Sequence, residues 1–116
     1  MHEVIARRLW IGNAGDARQP AELLQAGIRA VVDVAYEESP AVLPRELILL
    51  RVPLTDGESN SPESLELAIG SVERLLRSAT PSLVACSAGL SRSPIIAAAA
   101  ISRVEEIPLQ AALERL

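Results

Sequence analysis

Cys86 and Arg92 stand six positions apart in Ala85-Cys86-Ser87-Ala88-Gly89-Leu90-Ser91-Arg92-Ser93-Pro94, and Cys86 is the chain's single cysteine. The apolar run Ser82–Cys86 reads as a strand, and the run Ile95–Ile101 as a buried helix. A tight loop between a strand end and a helix N-terminus makes an anion site, because backbone N–H groups and the helix dipole both favour negative charge there. Arg92 adds a planar, permanently charged fork that suits phosphate oxygens. A thiol in that field ionises readily. The chemistry these types and spacings can perform is phosphoryl transfer to sulfur.

A lone cysteine after a strand is more often a small buried hydrophobe. The conjunction is what argues otherwise: Cys86, five residues that include Gly89, then Arg92, then the hydroxyl of Ser93 and Pro94 at a helix start. Cleaving a phosphate monoester requires an ionised nucleophile, a grip on the equatorial oxygens and a proton for the leaving oxygen. Cys86 is the candidate nucleophile. Ser87, Ala88, Gly89, Leu90, Ser91 and Arg92 are the candidate phosphate-binding residues, through backbone N–H groups and the Arg92 fork. The acid must approach from another loop, opposite the sulfur, because displacement is in line. Asp56 is the candidate, in Thr55-Asp56-Gly57-Glu58, where Gly57 lets the loop close; Glu58 and Asp33 are its rivals. Ser93 is placed to donate to the departing sulfur or to cap the helix, and the two are compatible.

The elements that must position these groups follow from periodicity. Leu9-Trp10-Ile11 reads as a strand stopped by Gly12-Asn13-Ala14-Gly15-Asp16. A helix is expected from Pro20 to Gln25, closed by Gly27, with Leu23, Leu24 and Ile28 facing the core. Ala30–Val34 reads as a buried strand. Its Asp33 needs a partner, either the cysteine loop or a backbone N–H or solvent at the strand end. Glu46–Val52 reads as a buried strand, with a polar loop leaving its end. Ser61, Pro62 and Glu63 then begin a helix reaching about Ser78, with Leu65, Ile69, Val72 and Leu76 at helical spacing. The helix after the cysteine loop is expected to end near Glu105, and Pro108 starts a last one. Alternating strands and helices predict an α/β fold, a central mostly parallel sheet with helices on both faces and ligands at the strands' carboxyl ends.

Composition narrows the classes. With 116 residues, 49% of them apolar, the chain suffices for one domain and one core, residues 1–116. A net charge of −4 argues against a broad nucleic-acid or anionic-membrane surface. One cysteine forms no internal disulfide, Met1–Ile5 has no signal-peptide pattern and no apolar run is long enough to cross a bilayer. A cytoplasmic protein is expected. The single histidine, His2, lies at a terminus expected to be loose, which argues against Ser-His-Asp or Cys-His catalysis and against a zinc site. No Walker loop is present, so no nucleotide cofactor is expected, and the two-step thiol chemistry calls for no metal.

Cys86-Ser87-Ala88-Gly89-Leu90-Ser91-Arg92-Ser93 resembles the signature loop of the cysteine-dependent protein tyrosine phosphatases, in the style of their dual-specificity branch. The resemblance runs from about Arg8 to the C-terminus. It implies a phosphocysteine intermediate, Asp56 as general acid, and Ser93 as the hydroxyl that helps the cysteine leave. It further implies a shallow cleft taking a phosphorylated protein or another phosphomonoester. Two departures stand out. The family normally has His immediately before the cysteine, where this chain has Ala85, so a raised thiol pKa and reduced activity are expected. Family domains also continue beyond the helix begun at Pro108, so the chain reads as minimal or truncated. The competing readings are a phosphate-binding module without turnover, motivated by Ala85, and a rhodanese-like sulfur transferase or arsenate reductase. The sequence carries no statement about oligomeric state.

Overall fold

The apolar, β-branched segment Ala30–Ala35 (β3) is buried along its whole length, which requires a strand partner on each edge and cover on each face. The computed structural model, which describes residues 1–57 and 59–116, provides both. Strand β3 pairs in parallel with Ile48–Leu54 (β4) on one side and Ser82–Ala85 (β5) on the other. Leu9–Gly12 (β2) lies parallel to β5, and His2–Ile5 (β1) closes the far edge antiparallel to β2. The order among the described residues is β1-β2-β5-β3-β4.

Side chains alternate between two faces, as the strand period of two demands. Leu9, Ile11, Val32 and Val84 enter one apolar cluster with Val72 and Leu76 of Pro62–Arg77 (α2), Ile96 and Ile101 of Arg92–Glu105 (α3), and Ala112 of Leu109–Glu114 (α4). Trp10, Val31, Leu83 and Ala85 enter the other, covered by Leu23 of Pro20–Gln25 (α1) and Ala17 of a 3₁₀ turn. The expected mostly parallel sheet with helices on both faces is therefore what forms. Helix α2 starts as the sequence indicates: the Ser61 side chain accepts from the Ser64 N–H and Pro62 is in the first turn.

Four local expectations need correction. His2 is not in a loose terminus; it pairs with Ile11 in β1, a strand whose only apolar signal is Val4-Ile5. Leu24 is 43% exposed, because α1 is a single short helix and only Leu23 and Ile28 point at the sheet. The strand read as Glu46–Val52 begins at Ile48 and extends to Leu54 as an edge strand, half-buried rather than buried. Pro53, which lacks an N–H, is compatible with such an edge. Ile95, in the run read as buried, is exposed, on the side of α3 where Ala99 and Ser102 are only partly buried.

Register then sets the site. Gly12, Ala85 and Asp33 lie in one row across β2, β5 and β3, so the chain leaves all three strands at the same end. Cys86 follows directly on that end, and the Asp56 loop leaves β4 from the same side.

Candidate active site

The chain turns sharply after β5 to reach the start of α3 at Arg92, and Gly89 makes the turn possible. Its φ is +76°, a left-handed value that L side chains rarely adopt, and a Cβ there would sit 2.9 Å from the backbone carbon and oxygen of Gly12. The loop is sewn to the β2 end by Cys86 N–H donating to Gly12 O at 3.3 Å and Ala14 N–H donating to Ser87 O at 3.2 Å.

Cys86 is buried at the bottom of this loop. Its sulfur accepts from the Gly89 N–H at 3.2 Å and from the Ser93 hydroxyl at 2.8 Å. Burial pushes the thiol pKa up, but the Ser93 hydroxyl and the backbone N–H groups of Ser93, Gly89 and Ser91 outweigh it, and the net direction is down. Ser93 is fully buried in the first turn of α3, with its hydroxyl on the sulfur and 3.3 Å from Gly12 O. The cap position belongs to Ser91, so the capping alternative for Ser93 is not what forms.

Arg92 is 8% exposed. Its Nη1 and Nη2 each donate to one oxygen of Glu37, both at 2.7 Å, and Nη1 also donates to Leu54 O at 2.7 Å. The Nε is buried and has no hydrogen-bond partner among the described residues. The hydrogen bonds from Arg92, with help from Glu37's own backbone N–H, bring the Glu37 carboxyl down to about 2. The same bonds raise the Arg92 pKa, so the guanidinium stays charged.

Asp56 arrives from the loop after β4, and its Oδ1 accepts from the Ser91 hydroxyl at 2.9 Å. Asn60 closes that loop: its side chain accepts from Thr55 N–H at 2.7 Å and donates to Thr55 O at 2.8 Å. Between this loop and the start of α3 lies a cleft of about 340 Å³, lined by Asp56, Ser91 and Arg92 and by apolar Leu54, Leu65 and Ile95. Leu90, 84% exposed, projects from the loop's outer edge.

The structure thus brings together Cys86, Arg92, Ser93, Asp56 and the loop Ser87–Ser91. Of Asp56's rivals, Asp33 stands apart. It is buried, with Oδ1 accepting from Ala35 N–H at 3.1 Å and Oδ2 3.8 Å from Arg51 Nε, so its partner is a backbone N–H at the strand end and not the loop. Glu58 lies outside the described residues. Sequence reasoning missed Glu37 and Glu38; Glu38 Oε2 accepts from the Ser87 hydroxyl at 2.6 Å. Adjacent carboxylates just past a strand aligned with the cysteine strand are the signal that could have found them.

Residues 8–105, which contain every one of these groups, match the family model described as "Polymorphic toxin system, DSP-PTPase phosphatase". The chain belongs to this family. The dual-specificity branch is shared by the relatives. The human dual specificity protein phosphatase 12 is 32% identical over 114 residues, which is 93% of this chain and 33% of that protein. The chain therefore spans about a third of the length of that curated relative. Among solved structures, human DUSP28 superposes with a TM-score of 0.85 at 26% identity, covering 99% of this chain and 80% of that one. A mouse putative dual specificity phosphatase, solved with zinc tungstate, gives 0.83 at 30% identity, covering 97% and 70%. The family members' fold is the small α/β sheet described above.

Proposed function

We propose that this chain hydrolyses phosphate monoesters through a phosphocysteine intermediate. One observation carries the reading beyond anion binding: Asp56, from a separate loop, is hydrogen-bonded to the mouth of the Cys86 loop through Ser91. A module that only binds phosphate has no use for a carboxyl group at that place.

In the first step the Cys86 thiolate attacks phosphorus, an S–P bond forms, the ester P–O bond breaks, and the leaving oxygen takes a proton from Asp56. Arg92 and the loop N–H groups carry the charge of the equatorial oxygens. In the second step water gives a proton to Asp56 and its oxygen attacks phosphorus. The S–P bond breaks, and Ser93 donates to the departing sulfur, so that inorganic phosphate and thiolate result. Neither step calls for a metal. Phosphorylated protein side chains fit the family, and the apolar wall of Leu54, Leu65 and Ile95 suits the carbon skeleton of other phosphomonoesters as well. A thiolate nucleophile works only while reduced, which suits the cytoplasm.

Ala85 favours a second reading, a phosphate-binding module without turnover. Hydrolysis of para-nitrophenyl phosphate and of an alkyl phosphate with EDTA present, by the chain and its Cys86→Ser and Asp56→Asn variants, separates the two. The expected result is abolition by Cys86→Ser and a loss of about 10²–10⁴-fold on the alkyl ester by Asp56→Asn, smaller on the nitrophenyl ester, whose oxygen leaves without a proton. No turnover by the unaltered chain, with vanadate still bound, would establish the binding module instead.

A further inference from the structure

Two carboxylates at the loop have no part in that chemistry. Glu37 and Glu38 are neighbours in the turn after β3, 55 and 49 residues from the side chains they hold. Glu37 takes both terminal nitrogens of Arg92 at 2.7 Å, and Leu54 O takes Nη1 as well. Glu38 takes the hydroxyl of Ser87, the first residue after the nucleophile, at 2.6 Å. One turn thereby grips both ends of the loop, at Ser87 and at Arg92. The turn is itself braced. Arg51 Nη2 donates to Ala35 O at 3.4 Å and to Glu38 O at 3.1 Å, and Arg18 Nη2 donates to Ser39 O.

We propose that Glu37 and Glu38 are positioning residues for the phosphate site. The proposal rests on the reading that the Cys86 loop receives a phosphate group. Arg92 is long and rotamer-rich, and its ordering must be met either on binding or in advance. Glu37 grips the fork end-on, which leaves the Nε edge, buried and without a partner among the described residues, as the donor edge for phosphate oxygens. Glu38 holds the first side chain of the loop, the Ser87 hydroxyl, where Ala85 offers no side-chain hydrogen bond. The pair supplies from β3 the order that the residue before the cysteine does not. One effect runs the other way, since a carboxylate on Arg92 lowers its attraction for an anion. Burial decides against it, because a guanidinium this enclosed and left without its carboxylate would not hold its place.

Cys86 is the only cysteine, so its alkylation by iodoacetamide reports the site whether or not the chain turns over. Protection by graded inorganic phosphate is measured for the unaltered chain, Glu37→Gln, Glu37→Ala, Glu38→Gln, Glu38→Ala and the remote Glu66→Gln, each checked by thermal melting. The phosphate concentration for half-protection is expected to rise tenfold or more in Glu37→Ala and less in Glu37→Gln. It rises in Glu38→Ala and is restored in Glu38→Gln, whose amide oxygen still accepts from Ser87. Glu66→Gln leaves it unchanged. Unchanged or tighter protection in either Glu37 variant, or a Glu38→Gln as weak as Glu38→Ala, overturns the proposal; should Glu37→Ala unfold, Glu37→Gln decides. Protection of the unaltered chain without turnover would remove the phosphatase reading and leave this one standing; absence of protection would remove both.

Discussion

The Ser93 hydroxyl in the first turn of α3 donates across 2.8 Å to the sulfur of Cys86, the first residue after β5, and so spans the loop between the two elements. The bond stabilises thiolate over thiol, and in the proposed second step it is available again when the sulfur departs from phosphorus. Ser93→Ala is expected to lower turnover on the order of 10²-fold, the scale for removing one such donor. The phosphocysteine should accumulate, seen as a burst of nitrophenolate followed by a slow steady state. The alkylation profile of Cys86 should move to higher pH, because burial then acts with less opposition.

The same depressed thiol pKa makes a statement about stability. A group that ionises more easily folded than unfolded contributes its stabilisation fully above its unfolded value, here the ordinary 9.0, and loses it as pH falls through the folded value. The melting temperature of the chain relative to Cys86→Ser should therefore rise with pH through that window and flatten above 9. A difference that falls with rising pH would contradict the direction assigned to the thiol.

Much of the candidate site was legible because its residues sit in one contiguous stretch. Cys86, Gly89, Arg92 and Ser93 are fixed by spacing within a loop, and Asp56 by its place after a strand. What could not be read was contact across the sheet. Glu37 and Glu38 bond residues about fifty positions away, and only their adjacency just past β3 sets them apart from the solvated charges Glu46 or Glu63. Asp33 was ambiguous for the opposite reason: burial was evident, but nothing in the sequence told the Ala35 N–H from the cysteine loop as its partner. The edge position of β4 was hidden as well, since an apolar run looks alike at an edge and at a centre.

Gly89 and Gly27 give a controlled comparison. Both have positive φ, +76° and +84°, but a Cβ at Gly27 meets nothing within 4 Å, whereas at Gly89 it meets Gly12 backbone at 2.9 Å. Gly27→Ala should cost about 1–2 kcal/mol of stability from the left-handed backbone alone and leave phosphate protection of Cys86 intact. Gly89→Ala must also move the loop off β2, so protection and turnover should both be lost. Equal effects of the two on protection would mean that the loop does not depend on that close approach.

Asp33 tests the boundary of the site. Asp33→Asn retains an oxygen for the Ala35 N–H and should be mild, while Asp33→Ala leaves that buried donor unpaired and should lower stability by about 1–3 kcal/mol, read by denaturant unfolding. Phosphate protection of Cys86 should be unchanged in both. A weakened protection in a folded Asp33→Asn would return this carboxylate to the loop.

Ala85 is the departure that first put turnover in question, and its surroundings argue for the outcome of restoring the family's histidine. The side chain is 1% exposed and packs in the smaller apolar cluster with Trp10, Leu23, Ile28 and Val31, on the face covered by α1. An imidazole there adds volume to a filled space and a polar ring to an apolar one, for a cost of about 1–3 kcal/mol by overpacking alone. Meanwhile the sulfur already has the Ser93 hydroxyl and the Gly89 N–H, and the loop already has Glu37 and Glu38. Ala85→His is therefore expected to lower the melting temperature without raising turnover on para-nitrophenyl phosphate. A clear gain in turnover would mean that Glu37 and Glu38 do not supply what position 85 lacks, and that the loop of the unaltered chain is under-ordered after all.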